Sequence, residues 1–375
     1  MDIYVAKNGG DYHTIKEAVE AVPYEIPSVI HVAAGIYEEK IVCEKKDITI
    51  IGESAENTIL TFNEGALDIM PDGSKRGTFR TQTLFLAGER AVLKNITIRN
   101  TAGDGRIAGQ AIALYADSDF VYAEDVTLQA RQDTLFCAPL PFSERQKNGF
   151  LGPRMLTERK MTSQYYRHCK IVGDVDFIFG GANAVFDSCE IVCKDREHES
   201  FEVDVKDEVT AARAQRAEEL LSKADDTDKD QIGQTDHFVN GYITAPCGLK
   251  TGTGFIFVDC FIHGEKGCQN GSVFLGRPWR EEAKAAFIGC TYDKSISSYR
   301  FSGWGGITKD EPLTTFAEYE GRVIDNAESK VYDPDYKHNL EKVDMSLKNP
   351  WVYELSQEQA ATLLKSCEQI KISVQ

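Results

Sequence analysis

The sequence predicts an all-β protein built as a parallel β-helix, a solenoid whose successive coils stack their strand edges and side chains. Three observations support this prediction. A short phrase recurs at least seven times along the chain. Its spacing fits coils of about 20 to 25 residues interrupted by insertions. Helical patterns are confined to the two ends of the chain and to one insertion.

The recurring phrase is a polar or small residue followed by an apolar–x–apolar strand core. Four of the ten cysteines occupy the first apolar position of the phrase, which predicts that they form a ladder inside the solenoid. The copies begin at Asp47, Asn95, Asp125, His168, Ser188, Asp259 and Gly289.

Two helices are predicted near the chain ends. Thr14 and Glu17 form a T-x-x-E capping box that opens a helix ending before Pro23, and Ser356 with Gln359 opens a second helix. We expect the first helix to cover the open first coil, because the ends of a solenoid must be shielded from pairing with other chains.

The phrase disappears between Lys194 and Asp236, where 14 acidic residues stand against seven basic ones. Residues 209–224 carry strong helix formers, and residues 225–230 are expected to form a solvated loop. The segment is either a surface appendage or a mobile flap over a substrate groove. A second loop insertion is predicted at about 138–163, so residues 1–375 are expected to form one domain with two insertions.

Composition narrows the range of possible functions. Of 375 residues, 42% are hydrophobic and 27% charged, as in a globular protein, and the net charge of −17 disfavours nucleic acid as a partner. No stretch has the length and apolarity of a membrane span, and the start lacks a signal peptide. We therefore expect a cytoplasmic monomer. The alternative is a secreted protein whose signal has been removed. Cysteine and histidine spacing gives no metal-ligand motif, so neither a metal nor a cofactor is expected.

Polar residues within apolar strand segments are the candidates for chemistry, because an unpaired carboxylate or amide is costly to bury. Gln110 and Gln132 lie 22 residues apart, about one coil, so they are expected on adjacent coils. Asp133 and Asp176 also fall on adjacent coils if the loop 138–163 is set aside. Since neighbouring strand residues point to opposite faces, Gln132 or Asp133 must lie at a bend or bulge. Polar ladders that only stabilise the coils are the structural alternative.

At these residues the sequence resembles the pectin methylesterase family, carbohydrate esterase family 8. Gly35–Glu39 matches its G-x-Y-x-E motif and Gly77–Thr83 its threonine-rich segment. The remaining motifs follow in the family's order. They are Q-A-x-A-L from Gln110, Q-D-T-L from Gln132, D-F-I-F-G from Asp176 and L-G-R-P-W from Leu275. The resemblance implies a right-handed parallel β-helix.

The resemblance also implies metal-free hydrolysis of methyl esters on galacturonate units of pectin or of methylated oligogalacturonides. By motif match Asp176 is the nucleophile and Asp133 the general acid and then base. Gln132 and Gln110 donate to the tetrahedral intermediate, while Arg277 orients and ionises Asp176. A cation beside one carboxylate, and the like charge beside the other, would hold the two in different protonation states.

The family resemblance further assigns Trp279 and Phe179 to an apolar floor for a sugar ring, with Thr78 as a polar contact. As residues of a strand segment, Trp279, Phe177 and Phe179 could equally be core. Because the protein is acidic, we expect a preference for substantially esterified or short substrates. The loop 138–163 and the acidic insertion could block a long polymer and leave an enzyme of oligosaccharides.

Other functions stay open from the sequence. The same scaffold could serve a related ester or thioester hydrolase. A pectate lyase or polygalacturonase is more distant, because paired glutamines favour acyl chemistry. A non-catalytic carbohydrate-binding solenoid would not need two carboxylates in different protonation states.

Overall fold

Parallel strands make up most of the regular secondary structure of the computed structural model, which describes residues 1–223, 238–249, 251–324 and 340–374. In this part of the chain the strands form three sheets, A, B and C, that run the length of a parallel β-helix. The fold class predicted from the recurring phrase is therefore confirmed. The loop expected at 225–230 lies outside the described residues, as does the end of the insertion beyond Lys223.

Sheet A has 11 strands, which we number with those of the other sheets in chain order. They are β1 (Asp2–Val5), β2 (Ser28–Val32), β5 (Asp47–Gly52), β8 (Arg90–Lys94), β11 (Phe120–Glu124), β14 (Ser163–Arg167), β17 (Asn183–Asp187), β20 (Phe255–Val258), β23 (Lys284–Ile288), β25 (Thr315–Tyr319) and β28 (Val352–Glu354).

Sheet B has ten strands, all parallel to their neighbours except the last, which pairs antiparallel. They are β3 (Gly35–Glu38), β6 (Thr58–Phe62), β9 (Thr97–Asn100), β12 (Thr127–Gln129), β15 (Lys170–Gly173), β18 (Glu190–Cys193), β21 (Phe261–Gly264), β24 (Thr291–Tyr292), β26 (Arg322–Ile324) and β27 (Leu340–Lys342).

Sheet C has seven strands and carries the cleft described below. They are β4 (Ile41–Cys43), β7 (Leu84–Leu86), β10 (Leu114–Ala116), β13 (Leu135–Cys137), β16 (Val175–Gly180), β19 (Gly241–Pro246) and β22 (Val273–Gly276). From β2 to β22 each coil takes one strand from A, one from B and one from C, and each strand pairs with its equivalent in the next coil. After β22 the described strands belong to sheets A and B.

The turn from sheet A to sheet B repeats in conformation as well as in sequence. Its first residue has a positive φ in seven coils, which lets the chain bend sharply before the next strand. The following residue points inward, and there the predicted cysteine ladder is confirmed. Cys169, Cys189, Cys260 and Cys290 are all buried, and their thiols point to backbone carbonyls of the preceding coil. All ten cysteines are free thiols.

One of the seven predicted copies is wrong. Asp47–Ile50 lies in β5 of sheet A, where Ile48 pairs with Ala91, and not at a turn from A to B. The error has a physical cause: alternation of apolar and polar residues is common to every half-buried strand. In the other six copies the first residue of the phrase has a left-handed backbone conformation, which the alternation of apolar and polar residues does not encode.

Four helices accompany the described coils: α1 (Ile15–Ala21), α2 (Gly105–Ala108), α3 (Glu208–Lys223) and α4 (Gln357–Val374). A 3₁₀ helix spans Thr78–Arg80. The Thr14–Glu17 capping box is present, and α1 packs on β1, β2 and β4, which confirms its expected position at the first coil. The second predicted cap, between Ser356 and Gln359, also forms. Helix α4 lies along the outer face of sheet A against β11, β14 and β17.

Candidate active site

The turns that lead from sheet B into sheet C bring three of the predicted residues together. Gln110 precedes β10, and Gln132 and Asp133 precede β13. The coils are in register here, since the N–H of Ala111 donates to the carbonyl of Gln132 at 3.0 Å and the N–H of Asp133 donates to the carbonyl of Val175 at 3.1 Å. Gln110 and Gln132 therefore lie on adjacent coils, as do Asp133 and Asp176.

Asp133 and Asp176 share a backbone conformation that is uncommon outside glycine. Asp133 has φ 67° in the turn before β13, and Asp176 has φ 51° within β16. At Asp176 the pairing of β16 with β19 shifts register between Val175 and Ile178, which is a β-bulge. The bend and the bulge aim both carboxylates at the outer face of sheet C, while Phe177 stays in the interior.

Arg277 holds Asp176 with a bidentate ion pair. Its Nε donates to Oδ1 at 2.9 Å and its Nη2 donates to Oδ2 at 2.8 Å. The guanidinium lies 4.0 Å from the ring centroid of Tyr242 and 4.5 Å from that of Trp304. Two hydrogen bonds and two flanking rings fix its plane, so Asp176 is held in one orientation beside a permanent cation.

The second carboxylate has a different electrostatic environment. Asp133 is 8% exposed. Burial, and secondarily the negative charge of Asp176, raise the pKa of Asp133 well above its ordinary value, against the opposing effect of Arg277. Burial lowers the pKa of Arg277, but the Asp176 carboxylate outweighs this and the pKa is raised, so the cation stays charged. The raised pKa favours a proton on Asp133, while Asp176 is the carboxyl group paired with a cation.

The side-chain amides of Gln110 and Gln132 face the cleft and have no hydrogen-bond partner among the described residues. Gln132 is positioned by close packing. A Cβ at Gly105 would lie 2.5 Å from its Oε1 and 3.0 Å from its Cβ, so the glycine leaves room for this side chain. The amide N–H groups of both glutamines are available to a bound group.

The other wall of the cleft is aromatic. Phe85, Tyr115, Phe136 and Phe179 form a ladder on the outer face of sheet C, with successive ring centroids 4.9, 4.7 and 4.8 Å apart. Trp279 packs on Phe179 with centroids 5.8 Å apart and is partly exposed. Phe179 is thus part of an outer aromatic cluster and also lines the cleft.

All eight predicted site residues line this one cleft, which has a volume of about 300 Å³. Thr78 lies at its rim in the 3₁₀ helix. Sequence reasoning did not identify Trp304, Tyr242 or Arg145, which complete its surroundings. For Trp304 a signal existed, because it is one of three tryptophans and lies in a glycine-rich segment, Gly303–Gly306.

The loop between β13 and β14, residues 138–162, folds over one end of the cleft. Nη2 of Arg145 donates to the carbonyl of Trp279 at 2.6 Å, and Nη2 of Arg280 donates to the carbonyl of Ser143 at 2.8 Å. The loop and the segment after β22 are thereby tied together. Phe150, in the same loop, contacts Trp279 edge to face. The loop therefore shapes the aromatic wall.

The described part of the acidic insertion is docked against the groove wall. Arg213 of α3 is 2% exposed and donates from Nε to Oδ1 of Asp68 at 2.9 Å and from Nη2 to Oδ2 at 2.6 Å. Arg216 donates from Nε to the carbonyl of Ile107 at 2.7 Å. These bonds tie α3 to the loops that precede Gln110. They favour a fixed appendage over a mobile flap for this part of the segment.

Within residues 1–223, 238–249, 251–324 and 340–374, no three His, Cys, Asp or Glu side chains are grouped in a way that could hold a metal ion. Within the same ranges no helix has both the length and the apolarity needed to cross a membrane.

The fold and the cleft place the chain among parallel β-helix proteins that carry a polar groove on one side wall. The pectinesterase family model matches residues 2–147 and 158–220. This chain belongs to the pectinesterase family.

Individual relatives agree with this assignment. A protein of Arabidopsis thaliana named probable pectinesterase/pectinesterase inhibitor 64 is 28% identical over 321 residues, which are 81% of this chain and 43% of that protein. The chain thus spans less than half of that relative's length.

Solved structures support the fold. Pectin methylesterase from carrot superposes with a TM-score of 0.66 at 23% identity over 96% of this chain and 89% of its own. A pectin methylesterase in complex with a hexasaccharide gives a TM-score of 0.66 at 21% identity, over 96% and 94% of the two chains.

Proposed function

We propose that the protein hydrolyses methyl esters of galacturonate units in pectin or in methylated oligogalacturonides, giving methanol and a free carboxylate. Membership of the pectinesterase family supports the reaction class. A structural neighbour with a bound hexasaccharide supports a sugar chain as the ligand of such a groove.

The observation that carries the proposal is the contrast between the two carboxylates. Both carboxyl groups are buried, but Asp176 is ion-paired with Arg277 through both oxygens, whereas Asp133, on the preceding coil, has a raised pKa. Ester hydrolysis through an acyl intermediate needs these two states together, an ionised nucleophile and a proton donor.

In the first half-reaction an oxygen of Asp176 attacks the ester carbonyl carbon. The negative charge that develops on the carbonyl oxygen is met by the amide N–H groups of Gln132 and Gln110. The bond from carbon to the methoxy oxygen then breaks, and Asp133 gives its proton to that oxygen, so methanol leaves. The galacturonyl group stays joined to Asp176 as an anhydride.

In the second half-reaction Asp133, now ionised, takes a proton from water. The hydroxide attacks the galacturonyl carbon of the anhydride, and the glutamine amides again donate to the charged oxygen. The bond to Asp176 breaks, which releases the galacturonate unit as its carboxylic acid and restores the Asp176 carboxylate beside Arg277. The acid then gives its proton to solvent and becomes the free carboxylate, and Asp133 is protonated again, with a proton that came from water.

The cleft walls suit a methyl-esterified sugar. Trp279 and Phe179 offer an apolar surface for the pyranose ring and the methoxy group, and Thr78 offers a hydroxyl at the rim. The ionised Asp176 beside Arg277 leaves no excess positive charge at the reacting carboxyl. A neutral ester therefore fits this position better than a free carboxylate.

The test is methanol release from highly methylated pectin and from methylated trigalacturonate, by wild type and by Asp176→Ala. We expect release by wild type and a loss of at least about 10⁴-fold in the variant. Asp125→Ala is the matched control, because Asp125 has a similar φ of 54° but is exposed in a turn from sheet A to sheet B. It should keep full activity.

The ratio of methanol release from the two substrates measures how the loop 138–162 affects the length of substrate chain that the enzyme accepts. Methanol from the trimer alone would show that the loop excludes polymer. No methanol from either substrate, or equal release by Asp176→Ala, would refute the proposed reaction.

A further inference from the structure

The helix α3 of the acidic insertion makes contacts that the mechanism above does not use. It packs on α2 and against the loop between β6 and the 3₁₀ helix, residues 63–77. Both of these segments lie beside the stretch of chain that carries Gln110. The described lining of the cleft contains no residue of α3. The helix can therefore influence a residue of the cleft without contacting a bound substrate.

Residues 65–67 of this loop pair with the segment that leads into Gln110. The N–H of Ala66 donates to the carbonyl of Gln110 at 2.9 Å, and the N–H of Leu67 donates to the carbonyl of Ala108 at 2.9 Å. Because these two bonds fix the backbone at Gln110 and two residues before it, a displacement of the loop moves Gln110. Its side-chain amide, which faces the cleft, moves with the backbone.

The carboxylate of Asp68 closes this part of the loop into a tight turn. Asp68 is 2% exposed, and its Oδ2 accepts from the N–H of Gly65 at 2.7 Å. The N–H of Asp68 in turn donates to the carbonyl of Gly65 at 3.1 Å. Ala66 and Leu67 are the two central residues of the turn. The position of Asp68 therefore sets the position of the two N–H groups that hold the Gln110 segment.

Arg213 of α3 supplies the counter-charge that a carboxylate needs in so buried a position. Its Nε and Nη2 donate to the two oxygens of Asp68 at 2.9 and 2.6 Å. The guanidinium groups of Arg76 and Arg216 lie farther from Asp68, with nitrogen–oxygen distances of 4.0 and 3.8 Å. A bidentate pair between buried groups is strong and directional, and removal of one partner leaves the other as an unpaired buried charge.

We propose that Arg213 is a positioning residue for the reaction, because through Asp68 it holds the turn that fixes Gln110. The acidic insertion would then support one of the two oxyanion donors. The inference rests on the proposed function, in which the amide of Gln110 donates to the charged intermediate. A displaced amide loses an interaction made mainly in the transition state, so the loss of Arg213 should lower kcat and leave KM nearly unchanged.

The kinetic test measures kcat and KM for methanol release from the better of the two substrates named above. Arg213→Gln should lower kcat about tenfold, with KM within about twofold of wild type. Arg213→Lys keeps the charge but not the bidentate geometry, and its kcat should be only about threefold below wild type. Lys223→Gln removes a positive charge from the exposed end of the same helix and should behave as wild type.

A double-mutant cycle with Gln110→Ala separates positioning from a general loss of stability. If Arg213 acts through Gln110, Arg213→Gln should leave the already reduced kcat of Gln110→Ala unchanged, within about twofold. A general loss of folded protein would lower kcat by the same factor in both backgrounds. Equal effects in the two backgrounds, or a wild-type kcat in Arg213→Gln, overturn the proposal.

Thermal unfolding of each variant shows whether it is folded at the assay temperature. If Arg213→Gln does not fold, the cycle is run with Arg213→Gln combined with Asp68→Asn. This pair of substitutions removes both buried charges together and keeps side chains that can hydrogen-bond. It should show the same dependence on Gln110, since a neutral pair lacks the strong bidentate contact that holds the turn.

Amide hydrogen exchange tests the inferred contact without turnover. In Arg213→Gln, peptides covering residues 63–68 should exchange at least about tenfold faster than in wild type, while β20 and β23 exchange at the wild-type rate. If no form of the protein releases methanol, the reaction is refuted, and exchange still decides whether Arg213 holds the turn. If methanol is released but exchange at the turn is unchanged, the inference is refuted and the reaction stands.

Discussion

The turns from sheet A to sheet B and the turns from sheet B to sheet C use the same backbone conformation in different surroundings. In the first group seven residues have φ between 50° and 65°, and all of them are half-buried or exposed. They are Asn95, Asp125, His168, Ser188, Asp259, Gly289 and Glu320. In the second group Asp133, in the turn before β13, has φ 67°, and Asp176, at the bulge where the chain has just entered β16, has φ 51°; both are buried.

The difference shows how one backbone conformation can serve both the scaffold and the candidate site. At the turns from A to B the side chains reach solvent, which constrains them little. Six residue types therefore occupy this position in the seven coils. At the turns from B to C, the left-handed residues hold carboxylates in a cleft beside Arg277. A strained conformation persists where the surrounding structure over-determines it. At Asp133 and Asp176 the neighbouring coils do so, and we infer that the strain serves to aim the two acids.

The largest effect expected from this comparison is at Asp133. Asn tolerates a positive φ and matches Asp in shape, so Asp133→Asn should fold but lack the proton donor. We expect kcat to fall by about 10²- to 10⁴-fold. The same substitution at the outer turn, Asp125→Asn, should leave kcat unchanged. Methanol release by both variants, measured beside wild type, checks this.

The pH dependence of kcat/KM tests whether Asp133 is the proton donor. Burial and Asp176 raise the pKa of Asp133, and the proton is needed on the free enzyme, so wild-type kcat/KM should fall as pH rises through that raised pKa. Asp133→Asn has no proton to lose there and should lack this alkaline limb. A limb that persists in the variant would assign it to another group and contradict the role of Asp133.

How much of this could be predicted from the sequence depends on how local each feature is. The cysteine ladder repeats within the chain, so Cys169, Cys189, Cys260 and Cys290 revealed the coils. The false copy at Asp47 shows the limit of this prediction, because the sequence pattern does not specify the backbone angle φ. The eight candidate residues share one cleft because their motifs lie on or beside the strands of sheet C in neighbouring coils.

Features that depend on long-range packing could not be predicted. Arg213 meets Asp68 across 145 residues of sequence. Likewise, Trp304 and Tyr242 reach Arg277 only because separate segments fold onto the same wall. The net charge of −17 predicted a preference for esterified substrate, whereas the cleft itself places Arg145 and Arg277 beside Asp133 and Asp176. Such local charge is set by which side chains find partners, which composition does not record.

A smaller effect is expected at the oxyanion donors. Gln132→Ala removes an amide that faces the cleft, and we expect kcat to fall about 10²- to 10³-fold with little change in KM, since the donated bond is needed when charge develops. Gln129→Ala, three residues earlier and half-buried in β12, is the matched control and should keep wild-type kcat. A change in KM alone would show that Gln132 binds the ground state and not the intermediate.

The smallest effect is at the outer turns and concerns stability alone. His168 has φ 51°, and the equivalent Gly289 has φ 65°, so glycine fits this turn without rearrangement. A left-handed conformation costs a non-glycine residue about 1–2 kcal/mol, and glycine's greater freedom in the unfolded chain returns about 0.5–1 kcal/mol of that. His168→Gly should therefore raise the free energy of unfolding by about 0.5–1 kcal/mol, as urea titration would measure.

The measurement belongs at high salt, which screens the contact of 3.9 Å between the exposed side chains of His168 and Asp125. Methanol release should stay at the wild-type level, because the turn lies far along the coil from the cleft residues. Lower stability in His168→Gly would mean that the exposed side chain stabilises the coil. The outer turns would then be constrained by their side chains, as the turns at Asp133 and Asp176 are, and the contrast between the two groups would not hold.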